Sequence, residues 1–364
     1  MKTSKKVMTL MIPTMDGGGS ERAVLLLANF WASEGCNVRL ILFRRTGVLL
    51  DSLHSDVCVH SLDSRLPWVQ VWRLIRLLRE QRSDNLLCVL NTANTVGVLA
   101  QFFGRLHTRI ITTVQNHMGA KYAHTRSLLN PFRKLVLGWV LRRADQVVVV
   151  SNQIQDYLVD ELHLNPASIE VIYNPVDLSL TKQALERPEH PYFQQSVEPV
   201  LIAAGRLTRQ KNFQLLVRAM SNLSENLRLI ILGEGEDRPE LEGLIQQLNL
   251  IDRVSLPGFK DQPLAWFKWA DCYVMSSDWE GFPFVLLEAM SVGLQIVSTD
   301  CPSGPAELLD HGSYGRLVPC ADAAKLADAI LLAVREPMDA DRLRGRSAEF
   351  NIQKVAEHYA MLLA

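Results

Sequence analysis

Residues 6–30 read KVMTLMIPTMDGGGSERAVLLLANF. Val7 to Ile12 is apolar except for Thr9, and Pro13 and three glycines then break the run. From Ser20 to Gly35 the apolar residues return with one apolar face, the pattern of a helix. A strand, a tight loop and a helix in that order predict an open α/β sheet. NVRLILF (37–43), LLCVLNT (86–92), RIITTVQ (109–115), QVVVVS (146–151) and IEVIYNP (169–175) repeat the theme. Each is short and rich in β-branched residues, and most lead through a polar turn into a helical stretch. Strands that alternate with helices imply a parallel sheet covered on both faces.

Residues 178–199 interrupt this rhythm with Pro188, Pro191 and Pro199 among scattered charges, and read as a linker. The rhythm restarts with PVLIAAG (199–205), LRLIILG (227–233), RVSLPG (253–258), CYVMSS (272–277), LQIVST (294–299) and YGRLVP (314–319). Two doubly wound domains are therefore expected, 1–178 and 179–348, sharing one cleft, with a final helix in 349–364 that returns to the first. In such sheets ligands sit at the carboxyl ends of the strands, so the residues after each strand are the ones to inspect.

Composition narrows the class. The 364 residues are 48% hydrophobic and 21% charged, as in soluble globular proteins. No apolar run approaches the ~18 residues of a membrane span. The first fifteen residues mimic a signal peptide, but the apolar run is short and no small-residue cleavage pattern follows. Cys36, Cys58, Cys88, Cys272, Cys301 and Cys320 form no Cys-x-x-Cys pair, which argues against disulfides and zinc and for a reducing cytoplasm. The net charge of −1 hides an asymmetry. Residues 1–178 hold 20 Lys and Arg against 14 Asp and Glu, a net +6, and residues 179–364 hold 18 against 25, a net −7.

After the first strand, Asp16-Gly17-Gly18-Gly19 matches neither the dinucleotide fingerprint nor a Walker loop. Glycines before a helix still allow a ligand to approach the backbone at the positive end of the helix dipole. After PVLIAAG, Arg206 leaves the strand end and Lys211 precedes the next helix, a suitable clamp for a diphosphate. After CYVMSS comes DWEGFP and then the helical FVLLEAMSVG, ended by Gly293. Glu280 lies in the turn and Glu288 in the helix. Their spacing would span roughly 12 Å if it were all helical. Pro283 lacks an N–H, so Phe282, Phe284 and Val285 would have to offer theirs to an anion. The neighbours of Glu288 are apolar nearly all round, and a carboxylate there needs a partner.

Together GGGSER, GRLTRQKNF, the Glu-x7-Glu segment EGFPFVLLE and TDCPSGPAELL resemble glycosyltransferase family 4. The resemblance covers nearly the whole chain and is most specific in the second half. It implies a GT-B fold, two Rossmann-like domains with an interdomain cleft, and a retaining transfer from a nucleotide sugar. It implies that Arg206 and Lys211 hold the donor diphosphate and that Glu288 binds the ribose hydroxyls. Glu280 would stand next to the donor sugar, with the backbone after Gly281 on its hydroxyls. Gly258 and Phe259 would lie beside the base, Gly18 and Gly19 would face the diphosphate, and His117 would lie near the reactive centre. Ser303 and Gly304 would lie in a loop near the donor. Pro283 departs from the family pattern, which leaves the sugar contacts there open.

A narrower resemblance of TDCPSGPAELL points to transferases that add a hexose or N-acetylhexosamine to polyprenyl-diphosphate-linked glycans or lipopolysaccharide, with UDP as first choice of nucleotide. Asp278-Trp279-Glu280 looks superficially like an Asp-x-Asp metal motif, but it opens a helix late in the second domain. No cofactor and no obligatory divalent ion are expected. The acceptor would be a glycan or glycolipid on the first domain, and no nucleic acid is expected. Residues 66–82, LPWVQVWRLIRLLREQR, place Trp68 and Trp72 beside Arg73, Arg76, Arg79 and Arg82 on a helix. Arg126, Arg133, Lys134, Arg142 and Arg143 add charge later. Tryptophans beside cations suit an anionic membrane surface; the same pattern equally fits an ordinary helix packed by its apolar face with a solvated basic edge. A cytoplasmic protein, peripheral on the inner membrane, is the expectation. A nucleotide-sugar epimerase of the same fold and a transferase-like binding protein are the rivals, and the missing fingerprint disfavours a nicotinamide enzyme.

Overall fold

A computed structural model describes residues 6–125, 127–182, 186–194 and 198–363. Arg126 and six residues of the proline-bearing stretch, 183–185 and 195–197, lie outside the described residues. The chain divides into two compact units, Met1–Pro175 with Ile352–Ala364, and Val176–Asn351.

In the first unit the described strands are β1 (Val7–Ile12), β2 (Asn37–Leu42), β3 (Cys58–Ser61), β4 (Asn85–Val89), β5 (Arg109–Val114), β6 (Gln146–Val149) and β7 (Ile169–Val171). They form one parallel sheet in the order β3-β2-β1-β4-β5-β6-β7. Successive side chains of a strand point to opposite faces, and the core divides accordingly. Met8, Leu10 and Ile12 of β1, Leu40 of β2 and Leu87 of β4 pack on one face with Val24, Leu27 and Trp31 of the helix Gly19–Ser33. Met11, Ile41, Leu86 and Cys88 face the other way, onto the helices Pro67–Gln81 and Asn91–Gly104. The helix Ile352–Leu362 lies on the first of these faces. Val355, Ala356 and Tyr359 join that core, and the Trp31 indole N–H donates to the Ala356 carbonyl.

The second unit contains β8 (Val200–Ala204), β9 (Arg228–Leu232), β10 (Val254–Ser255), β11 (Cys272–Met275), β12 (Gln295–Thr299) and β13 (Arg316–Val318), in the order β10-β9-β8-β11-β12-β13. Leu201, Ala203, Leu229, Ile231 and Val274 pack on one face against the helices Phe213–Ser221 and Ala323–Arg335. Both sheets reverse direction of winding beside their first strand, between β1 and β4 and between β8 and β11. That reversal opens a crevice where ligands of such sheets bind.

One strand escaped the sequence pattern. β3 is CVHS, four residues that are partly or fully exposed at the sheet edge. Edge strands need no continuous apolar run, so periodicity gives no signal there.

Candidate active site

Two loops flank the reversal of the second sheet, the one after β8 and the one after β11, and their side chains meet. Lys211 Nζ lies 2.5 Å from Glu280 Oε1, with side-chain exposures of 19% and 7%. Ser277 Oγ donates to the same oxygen at 2.6 Å. Three further ties join the loops. Asn212 Nδ2 donates to Asp278 Oδ1 at 2.8 Å, Gln210 Nε2 to the Trp279 carbonyl at 2.9 Å, and the Asp278 N–H to the Gln210 carbonyl at 2.9 Å. Asn212 sits at φ 44°, where a short amide side chain is tolerated, and its Oδ1 caps the following helix through the Leu215 N–H. Two lysine and serine donors thus hold one oxygen of a buried carboxylate, so the ion pair also satisfies the hydrogen-bonding demand of burial.

The loop after β12 braces the turn from below. The Glu280 N–H donates to the Pro302 carbonyl at 3.1 Å, Ser303 Oγ to the Gly281 carbonyl at 2.7 Å, and Thr299 Oγ1 to the Ser277 carbonyl at 2.7 Å. Gly304 adopts φ 95°, and a Cβ there would stand 2.6 Å from the Gly281 oxygen and the Pro283 ring. Only glycine lets these two loops touch.

The helix that follows begins at Phe284 and ends at Ser291, so only the four steps from Phe284 to Glu288 rise helically. The fully helical 12 Å of the sequence reading shortens to about 6 Å of helical rise plus a non-helical turn. Phe284 and Val285 head the helix behind Pro283, and their N–H groups have no intrahelical acceptor. Gly281, Phe282 and Phe284 are buried, Val285 is half-buried, and Phe282 packs its ring 5.3 Å from that of Phe350. Glu288 is buried among the apolar residues of its helix.

Arg206 extends into solvent from the end of β8, and no side-chain hydrogen bond or ion pair engages it among the described residues. Gly258, at φ 84° after β10, accepts the Gly233 N–H at 3.0 Å, and Phe259 beside it is exposed. Gly233 and Gly235 are as constrained. A Cβ at either would fall about 2 Å from a backbone oxygen of the β8 loop, Gly205 for the first and Leu207 for the second.

In the first unit Gly18 is the N-cap of the helix that starts at Gly19, with Gly17 at φ 99° before it. The loop is held by backbone bonds of Met15 to Thr46 and Leu49. His117 follows β5 and caps the helix Met118–Thr125, its Nδ1 accepting the Ala120 N–H at 3.1 Å. That bond places the proton of the neutral ring on Nε2. The ring lies 5.0 Å from that of Tyr157. Burial lowers the His117 pKa below its ordinary value and raises that of Tyr157 to about 12.

Sequence reasoning found Lys211 and Glu280 by their positions after strands, but not that they pair. It missed Ser277, Gln210 and Asn212. The first ends CYVMSS, a run that was on view, but a serine after a strand is too common to single out. Among the described residues no three His, Cys, Asp or Glu side chains cluster as metal ligands, and no helix is long and apolar enough to cross a membrane.

The Glycosyltransferase Family 4 model matches residues 17–180, and the Glycosyl transferases group 1 model matches residues 189–350. The chain is 30% identical over 257 residues to the N-acetylgalactosamine-N,N'-diacetylbacillosaminyl-diphospho-undecaprenol 4-alpha-N-acetylgalactosaminyltransferase of Campylobacter jejuni, a span of 70% of this chain and 67% of that one. It is 29% identical over 189 residues, half of each chain, to the lipopolysaccharide 1,6-galactosyltransferase of Escherichia coli. The crystal structure of Anabaena HepE with UDP-glucose superposes with a TM-score of 0.83 at 21% identity, covering 98% of this chain and 99% of that one. The fold is GT-B.

Proposed function

The chain belongs to glycosyltransferase family 4, and from that premise we propose a retaining transfer of a hexose or N-acetylhexosamine from a UDP-sugar to a polyprenyl-diphosphate-linked glycan or lipopolysaccharide acceptor. The observation that carries this reading is the Lys211–Glu280 pair at the reversal of the second sheet. It sets a cation and a carboxylate where such sheets bind nucleotides. The activities of the Campylobacter and Escherichia relatives support the acceptor class, and the HepE complex supports UDP.

The reaction needs a leaving group stabilised as it departs and positive charge tolerated at the sugar ring. Arg206 and Lys211 supply cations to the diphosphate, and the N–H groups of Phe284 and Val285 supply dipoles. Glu280 has Oε1 committed to Lys211 and Ser277, which fixes its plane and leaves Oε2 for the sugar. The acceptor oxygen attacks the anomeric carbon on the face that the diphosphate leaves. The carbon–oxygen bond to phosphate breaks with its electron pair going to the phosphate. The departing phosphate oxygen takes the acceptor proton. Glu288 binds the ribose, and the His117 Nε2–H donates near the reacting sugar. No step calls on a divalent ion, so turnover is expected to persist in EDTA.

Incubation with a panel of nucleotide sugars and an undecaprenyl-linked acceptor, read by mass spectrometry for nucleoside diphosphate release and by NMR for the product anomer, tests the proposal. Release of UDP with an axial product linkage from an α-donor is the expected result. An inverted linkage overturns retention. Isomerised donor without transfer favours the epimerase. Stabilisation against heat by NAD alone, among UDP, GDP, ADP and NAD, overturns the nucleotide-sugar reading.

A further inference from the structure

The helix Asn130–Arg143 is apolar on two sides. It buries Leu137, Val140 and Leu141 in the first unit, yet Phe132, Leu135 and Trp139 point outward, the first two at 65% and 69% exposure. Their spacing of three and four residues sets them in one stripe. The neighbouring helix Asn91–Gly104 extends that stripe with Phe102 and Phe103, which are exposed and stacked edge to face at 5.2 Å. Arg143 joins the two helices, its guanidinium lying 4.7 Å from the Phe102 ring and 5.1 Å from that of Trp139. Five large apolar side chains exposed together on two adjacent helices are uncommon on a protein that meets only water.

The charge around the stripe says what covers it. Residues 85–144 contain no Asp or Glu at all, and eight Lys and Arg. Of the acids close by, Glu161 is matched by Lys134 at 2.7 Å, and Asp145 accepts the Ile110 N–H and the Gln101 amide. Arg133 and Arg143 are exposed beside the aromatic rings. A second copy of the chain would set the same stripe against itself and bring these cations face to face, which repels. An anionic bilayer meets both demands, with rings at the acyl boundary and guanidinium groups at the headgroups.

The helix Pro67–Gln81, which the sequence pattern nominated for this role, also leaves Trp68 and Trp72 exposed, but its cations are engaged by other groups of the chain. Arg73 donates to the carbonyls of Leu62 and Asp63, Arg76 pairs with Glu80, and Arg79 donates to the Gly104 carbonyl. We infer that the outward face of Asn130–Arg143, with Phe102 and Phe103, docks the protein on an anionic lipid surface. This stands apart from the identity of donor and acceptor.

Flotation of the full chain with phosphatidylcholine vesicles, with and without phosphatidylglycerol, tests it. Flotation only with phosphatidylglycerol, weakened by salt, is expected. Replacing Phe132→Ser together with Leu135→Ser lowers vesicle binding by roughly tenfold, because two side chains no longer leave water. Trp68→Ser with Trp72→Ser leaves binding at the wild-type level. Arg133→Glu with Arg143→Glu, which keeps every apolar side chain of the stripe, also abolishes flotation and covers the case that the serine variant folds poorly. Wild-type protein that stays in the supernatant overturns the inference, as does a serine variant that is folded by thermal melt and floats like wild type. A dimer in the absence of vesicles that the serine variant dissociates also overturns it, and assigns the face to a second copy.

Discussion

In the second unit the loops after β8 and β11 are locked to each other through Lys211–Glu280, Asn212–Asp278 and the backbone bond of Asp278 to Gln210. In the first unit the corresponding loops after β1 and β4 are held by nearer neighbours. Met15 bonds to Thr46 and Leu49, and the Asn91 amide reaches Met118 Sδ. The sheets share one strand order, yet the acidic half builds an interlocked, buried polar site and the basic half keeps aromatic and cationic groups on its surface. A site that must stabilise developing charge gains from groups that are already oriented, since nothing then has to reorganise during reaction. A surface that meets a varied or fluid partner gains from groups left in solvent.

The largest break in this comparison is expected at Glu280. Glu280→Gln keeps the size and removes the charge, and turnover should fall by about 100-fold or more, read from initial rates of nucleoside diphosphate release. Near-full turnover would remove Glu280 from the chemistry. Next comes Lys211→Met, which strands the Glu280 charge in a buried place and should cost about 3 kcal/mol in denaturant unfolding. Adding Glu280→Leu should restore most of that stability without restoring turnover. If the double variant is no more stable than the single, the pair is not the tie that the geometry indicates.

Gly304→Ala sharpens the role of the β12 loop. Its backbone strain and the 2.6 Å approach to Gly281 should cost about 1–3 kcal/mol and raise KM for the donor. A variant with wild-type stability and KM would show that the turn yields freely. Arg206→Ala should leave stability within about 0.5 kcal/mol, because the side chain is solvated. UDP affinity by calorimetry should drop about tenfold, the loss of one charge-assisted hydrogen bond. Unchanged affinity would place the diphosphate elsewhere.

The smallest effect tests the first unit. His117 has a folded pKa depressed below 6.5 by burial, so the folded state favours the neutral ring. The unfolded chain then takes up the proton first as pH falls, and stability present above about 6.5 is lost toward the depressed value. His117→Gln should lose less stability than wild type between about pH 7.5 and about pH 5. Equal losses would locate the titration at another histidine, such as His60 or His190, whose pKa values burial also lowers.

The alternation of strand and helix was legible in the chain because parallel strands, buried on both faces, must be apolar along their length. That reached every described strand except β3, an exposed edge that obeys no such demand. The loops that carry Gly18, His117, Arg206, Lys211 and Glu280 could be found the same way, as the residues after strands. Pairing could not. Lys211 and Glu280 are 69 residues apart, and Ser303 is 22 from Gly281, so only the order of strands brings them within hydrogen-bond distance. The exposure of Phe132, Leu135 and Trp139 was equally hidden, since apolar residues spread over two sides of a helix carry no periodic mark of which side is covered. Sequence determined the elements and the chemistry available at their ends, because local patterns follow from backbone geometry and burial. Tertiary structure alone decided which carboxylate oxygen meets which cation and which apolar face stays in water, because contacts between distant residues are set by packing.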